Sequence, residues 1–162
     1  MTQASGGTAA EVARLRPAGV AAPAAGRPLV VFVGVDDDAR SRLAAALVAH
    51  RSRGRVQAVS LAPRPVPPDV TLLRVLAEVG VDLRPHPSAR DAALLDRADL
   101  VVVMGYDGQV ELPAGRRSED WCIDDPRGKP PDVVRHIRDA LDRRATRLLA
   151  RLGVGTLLVR DA

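Results

Sequence analysis

Short apolar runs alternate with longer amphipathic stretches along this chain. Apolar runs rich in β-branched residues predict buried strands over residues 29–33 and 100–104. Residues 56–61 alternate between apolar and polar and predict a second strand, and residues 119–123 are predicted to form a fourth. Apolar residues at helical spacing predict helices over residues 41–53, 69–79, 88–97 and 131–152. Because strands alternate with helices, the pattern predicts a doubly wound α/β domain, with a four-stranded parallel sheet and helices on both faces.

The two ends of the chain fall outside this pattern. Residues 1–27 are rich in Ala, Gly and Pro, with one short helical possibility over residues 9–16, and they predict a flexible tail. Residues 28–153 form the predicted domain. Residues 154–162 are predicted to be a C-terminal tail or a short last strand.

The amino-acid composition argues against nucleic acid and membrane as partners of this chain. Aromatic residues make up only 2% of the chain, so stacking recognition of nucleobases is not expected. The net charge is +4, but the basic residues are interleaved with acidic ones, which favours a solvated surface of mixed charge over a nucleic-acid site. No stretch is long and apolar enough for a membrane span, and no signal peptide is predicted.

A single cysteine, Cys122, rules out an intramolecular disulfide and fits a reducing cytoplasm, which is the expected location. Cys122 lies on a predicted strand, in surroundings expected to be apolar or acidic. We therefore predict a structural role rather than a nucleophilic one. No spacing of His and Cys indicates a metal site, and neither a metal nor a cofactor is expected.

The loop after the first strand combines two opposed features. Ser41 is a predicted helix N-cap, and a helix N-terminus with Arg40 beside it favours an oxyanion. Asp36, Asp37 and Asp38 in the same loop repel one. In a doubly wound fold, ligands bind beyond the carboxyl ends of the strands, so residues 34–40, 105–107 and 124–126 are expected to converge.

Four stretches in this order resemble the low-molecular-weight protein tyrosine phosphatases, a family that includes the thioredoxin-coupled arsenate reductases. The resemblance covers residues 29–152. The stretches that carry it are LVVFVGVDDDARSRLAAALV, LLRVLAEVGVDLRPHPS, LLDRADLVVVMGYD and WCIDDPRGKPPDVVRHIRDALDRRATRLLARL.

The resemblance implies a set of site positions. The family uses a cysteine nucleophile, a loop arginine that holds oxyanion oxygens, a serine that steadies the thiolate, and an aspartate before a proline as general acid. Arg40, Ser41 and Asp125 take the last three positions, and Gly34 takes that of the nucleophile. Glycine has no side chain, so the resemblance predicts the fold together with loss of the cysteine mechanism.

We therefore predict a catalytically degenerate phosphatase-like protein that binds a small molecule or a protein partner at the former active-site face, with a homodimer as a further possibility. Aromatic side chains are expected at the mouth of this cleft. The residues predicted to bind the ligand are Val35, Asp36, Asp37, Asp38, Ala39, Arg40, Ser41, Tyr106, Trp121, Asp124 and Asp125.

Several of these residues also have structural interpretations. Arg40 is predicted to pair internally with one of the three loop aspartates, which would close the pocket. Ser41 is expected to act as an N-cap rather than as a catalytic hydroxyl. Asp125 is either a retained acid or, with Asp124, a cap of the turn before Pro126.

Three alternatives to the degenerate protein stay open. The first is an enzyme that uses the cleft aspartates in acid/base or metal chemistry on another substrate. The second is a phosphatase or arsenate reductase with residual activity. The third is a receiver-like domain that binds Mg²⁺, which needs an Asp at the end of the third strand, where this chain has Met104 and Gly105.

Overall fold

The computed structural model describes residues 26–85, 88–105 and 112–155. Within these residues, one parallel sheet has the strand order β2-β1-β3-β4. Its strands are β1 (Leu29–Gly34), β2 (Gln57–Leu61), β3 (Leu100–Met104) and β4 (Ser118–Asp120). The helices are α1 (Ala39–Ser52), α2 (Val70–Ala77), α3 (Ala93–Arg97) and α4 (Pro131–Arg151). This confirms the predicted four-stranded parallel α/β fold.

The central strand β1 is buried on both faces of the sheet. Val30 and Phe32 belong to the core cluster that includes residues of α1, α2 and α4. Leu29, Val31 and Val33 belong to a second cluster, which includes residues of α3. Since successive side chains of a strand point to opposite faces, this division places helices on both sides of the sheet.

The predicted start of α2 is confirmed. Asp69 is its N-cap, and Asp69 Oδ1 accepts a hydrogen bond from the amide of Leu72 at 2.7 Å. Gly80 follows the helix with φ 76°, a left-handed conformation that glycine adopts without strain.

The predicted start of α1 is wrong. The helix begins at Ala39, and the N-cap position is Asp38, so Ser41 lies inside the first turn. Its hydroxyl is fully buried and lies 2.8 Å from Ser60 Oγ on β2. The side chain of Ser41 therefore joins α1 to the sheet instead of capping the helix.

Two further boundaries differ from the predicted ones by three residues or more. Helix α3 begins at Ala93, because Asp91 supplies the local hydrogen bonds there, to the amides of Ala93 and Leu94. Strand β4 covers only Ser118–Asp120, since the last bond to its neighbour runs from the amide of Trp121 to the carbonyl of Val103. Cys122 consequently lies beyond the strand on which it was expected.

Some predictions fall outside the described residues, namely the helix over residues 9–16, the last strand and Tyr106 at the cleft mouth. The division into a tail, a domain at residues 28–153 and a C-terminal segment stays a prediction. No helix among the residues described combines the length and the apolar character that a membrane span requires.

Candidate functional site

The loops that follow β1 and β4 meet at the carboxyl edge of the sheet. Arg40 Nη1 donates to the carbonyl oxygen of Ile123 at 3.1 Å, and Arg127 Nη2 donates to Asp37 Oδ2 at 2.9 Å. The loop that follows β3 begins at the same place, because Cys122 Sγ lies 3.6 Å from the carbonyl oxygen of Gly105. We use the name cleft face for the surface formed by residues 34–41 together with residues 122–127.

Gly34 lies against the loop that follows it. A Cβ atom built on Gly34 would approach the carbonyl oxygen of Asp37 more closely than van der Waals contact allows. It would also lie 3.1 Å from the Asp37 carbonyl carbon and 2.9 Å from Ser41 Oγ. The space in which a side chain at this position would begin is therefore filled by the backbone of the loop.

Two amides at the start of α1, those of Asp38 and Ala39, already have partners within the chain. Asp37 Oδ1 accepts from the amide of Ala39 at 3.0 Å, and the carbonyl of Arg64 accepts from the amide of Asp38 at 3.1 Å. A helix N-terminus can hold an anion through such amides. In this chain the carboxylate of Asp37 supplies the anion.

Arg40 does not form the predicted ion pair with the loop aspartates. Its guanidinium donates to the Ile123 carbonyl, and Asp37 is paired instead with Arg127. Arg127 was not among the predicted site residues. The signal for it in the sequence is the spacing Asp125-Pro126-Arg127, which lets an arginine fold back onto an aspartate two residues earlier.

Asp125 is held as a carboxylate. Burial raises the pKa of Asp125, but hydrogen bonds and the charge of Arg127 outweigh this effect and bring the pKa below its ordinary value. The closest of these hydrogen bonds joins Arg127 Nη2 to Asp125 Oδ2 at 2.5 Å. Arg127 binds both oxygens of this carboxylate, so Asp125 acts as a hydrogen-bond acceptor in this geometry.

Asp38 anchors the loop from below. The residue is only 1% exposed, and its Oδ1 accepts from the amide of Val66 at 2.7 Å. Its Oδ2 accepts from Ser88 Oγ at 2.9 Å, and the Ser88 hydroxyl continues to Ser60 and Ser41 in steps of 2.8 Å. Since these contacts satisfy both carboxylate oxygens, Asp38 joins three segments of the chain under the cleft face.

The other predicted site residues lie at different depths. Asp36 and Asp124 are exposed, and Val35 is half-buried. Trp121 is only 3% exposed, and its ring meets the ring of Phe32 edge-on, with centroids 5.6 Å apart. The indole is thus part of the core beneath the cleft face.

Cys122 differs from its prediction in exposure as well as in position. Its thiol is free and exposed, because the chain has already left the sheet at this point. For metal binding, the described part of the chain contains no group of three or more His, Cys, Asp and Glu side chains arranged to hold an ion.

Comparison with known proteins finds arsenate reductases and a tyrosine phosphatase that are similar to this chain. No protein-family model matches the chain. Its sequence is 33% identical over 73 residues to an arsenate reductase of Staphylococcus aureus (strain bovine RF122 / ET3-1), a match that covers 43% of this chain and 56% of that protein. A solved arsenate reductase in the reduced state aligns with a TM-score of 0.65 and 27% identity, over 77% of this chain and 98% of that one.

This chain is similar in sequence and in fold to arsenate reductases, and it spans about half the length of the curated relative it matches. The arsenate reductase of Archaeoglobus fulgidus DSM 4304 is also similar, with a TM-score of 0.62 and 29% identity over 75% of this chain and 98% of that one. The tyrosine phosphatase Wzb of Escherichia coli K30 has the same fold, with a TM-score of 0.58 and 18% identity over 78% of this chain and 99% of that one. The fold is therefore that of the low-molecular-weight phosphatases and arsenate reductases.

Proposed function

We infer that this chain is a catalytically degenerate relative of these enzymes, which serves as a ligand- or partner-binding regulatory module through its cleft face. It carries out neither cysteine-dependent phosphoryl transfer nor thiol-dependent arsenate reduction. The observation that carries this proposal is Gly34. The resemblance assigns it the nucleophile's position, and the Asp37 carbonyl fills the space where a side chain would begin.

The sulfur chemistry of the chain supports the same conclusion. Its only cysteine, Cys122, lies on the opposite loop, where its sulfur contacts the carbonyl of Gly105. Reduction of a bound oxyanion with formation of an internal disulfide requires two sulfurs, and the chain has one.

The acid side of the reaction is altered as well. Asp125 is in the position of the general acid, but Arg127 binds both of its carboxylate oxygens and brings its pKa below the ordinary value. A carboxylate bound in this way is engaged as a hydrogen-bond acceptor. The cleft face thus lacks the side chain of the nucleophile, and its candidate acid is held by Arg127.

A second candidate is an active reductase or phosphatase with residual activity. It is favoured by the similarity to arsenate reductases and by the exposed thiol of Cys122 at the rim of the cleft face. In this case Cys122 would be the nucleophile, and activity would depend on it.

A turnover assay on three proteins separates these candidates. The unmodified chain, Cys122→Ser and Asp125→Asn are incubated with an aryl phosphate ester, and separately with arsenate and a dithiol reductant. We expect no turnover above the protein-free reaction in any of them. Turnover that disappears in Cys122→Ser would establish the second candidate. Turnover that survives in Cys122→Ser but disappears in Asp125→Asn would point to carboxylate chemistry in a repurposed cleft.

A further inference from the structure

Arg127 joins the two loops of the cleft face. Its guanidinium makes hydrogen bonds to both carboxylate oxygens of Asp125, with Nε lying 3.1 and 2.9 Å from Oδ1 and Oδ2. The same guanidinium reaches across to Asp37 Oδ2 at 2.9 Å. The Arg127 side chain is 37% exposed and that of Asp37 13%, so the bridge lies at the surface of the cleft and solvent can reach it.

A second Asp-x-Arg turn, formed by Asp82 and Arg84, has the same local geometry as the turn of Asp125 and Arg127. Arg84 folds back onto Asp82 with a backbone bond and three side-chain bonds, the pattern that Arg127 makes with Asp125. Arg84 is 81% exposed and donates only to Asp82 among the described residues. The contact to Asp37 is therefore what distinguishes Arg127, and it is not a consequence of the Asp-x-Arg turn.

This contact fixes Asp37 at both of its carboxylate oxygens. Oδ2 is held by Arg127, and Oδ1 is held by the amide of Ala39. Asp37 held in this way keeps its backbone carbonyl against Gly34.

The loop that presents Arg127 is itself tied in place. The amide of Gly128 donates to Asp69 Oδ2 at 3.1 Å, and the Ile123 carbonyl accepts from Arg40 at 3.1 Å. Arg127 consequently lies on a loop that is hydrogen-bonded to the rest of the chain on both sides of this residue.

We propose that Arg127 is a latch that holds the cleft face shut against oxyanions. The inference rests on the proposed function, because it takes the cleft face to be a former oxyanion site. With the latch open, Asp37 releases the amide of Ala39 at the N-terminus of α1. A tetrahedral oxyanion such as phosphate then binds between this amide and the guanidinium of the next residue, Arg40. The latch therefore controls whether an oxyanion can bind at the cleft face, and this binding requires no catalytic residue.

The test opens the latch without changing the net charge. The double variant Asp37→Asn/Arg127→Gln removes one charge of each sign, and the control Asp82→Asn/Arg84→Gln does the same at the matched exposed unit. Hydrogen–deuterium exchange of the peptide that covers residues 34–40 measures opening, and calorimetric titration with phosphate and with vanadate measures binding. We expect faster exchange at residues 34–40 and about ten-fold tighter oxyanion binding or more in the first variant, since the closed loop no longer competes. Neither quantity should change in the control.

Two results would overturn the proposal. One is exchange at residues 34–40 that matches that of the control. The other is faster exchange without any gain in oxyanion binding, which would mean that the bridge does not block a site. If the double variant does not fold, Arg127→Gln alone is compared with Arg84→Gln by the same measurements. Failure of the proposed function would appear separately, as turnover in the unmodified chain that depends on Cys122.

Discussion

Replacing Gly34 by alanine is expected to lower the free energy of unfolding by about 3 kcal/mol, because the added methyl group meets backbone rather than a flexible side chain. Its Cβ would overlap the carbonyl oxygen of Asp37, which moves only if the whole loop after β1 moves. Urea denaturation of the two proteins measures this difference.

Gly105 provides a matched control for this substitution. It follows the neighbouring strand β3, and a Cβ there would lie 3.3 Å from Val35 Cγ2, a half-buried side chain that can shift. Gly105→Ala is expected to cost at most about 1 kcal/mol. Equal destabilisation by the two substitutions would contradict the closed loop. Gly34→Cys places a cysteine at the position of the family's nucleophile. We expect this variant to be as destabilised as Gly34→Ala and to have no phosphatase activity.

Replacing Asp38 by alanine is expected to lower the free energy of unfolding by about 3 kcal/mol, because a buried carboxylate is lost and two partly buried donors lose their acceptor. These donors are the amide of Val66 and the hydroxyl of Ser88, which both point at a carboxylate that is 1% exposed. Asp36→Ala, on the exposed side of the same loop, is the control and should change the free energy of unfolding by no more than about 0.5 kcal/mol. An effect of Asp38→Ala as small as that of Asp36→Ala would show that the buried carboxylate does not hold the loop.

The fold was predictable where a local pattern dominates. The apolar run of β1 and the helical spacing with the Asp69 cap of α2 are short-range signals, and both predictions are confirmed. The start of α1 was not predictable in this way, because the contact of Ser41 with Ser60 joins the helix to strand β2, which follows later in the chain. The short edge strand β4 is polar and half-exposed, so its burial pattern gives no clear signal.

At the cleft face the sequence identified the loops but not their contacts. It placed Arg40 and Asp125 on converging loops, as the structure has them, because strand order in a doubly wound sheet brings these loops together. It paired Arg40 with one of the three loop aspartates, whereas Asp37 pairs with Arg127, which is adjacent to it only in space. The approach of the Asp37 carbonyl to Gly34 depends on backbone conformation alone, and no residue type encodes it.

Thermal melting of the unmodified chain with and without phosphate, vanadate and arsenate, beside Arg40→Ala, tests the closed cleft face most directly. A ligand that binds only the folded chain must raise the melting temperature by mass action. We expect the unmodified chain to show no rise with millimolar oxyanion, because Asp37 already occupies the amide of Ala39, and the carbonyls of Arg64 and Ile123 accept from the amide of Asp38 and from Arg40 Nη1. A rise of more than about 2 °C that is lost in Arg40→Ala would show that the oxyanion cradle is open and would contradict the account.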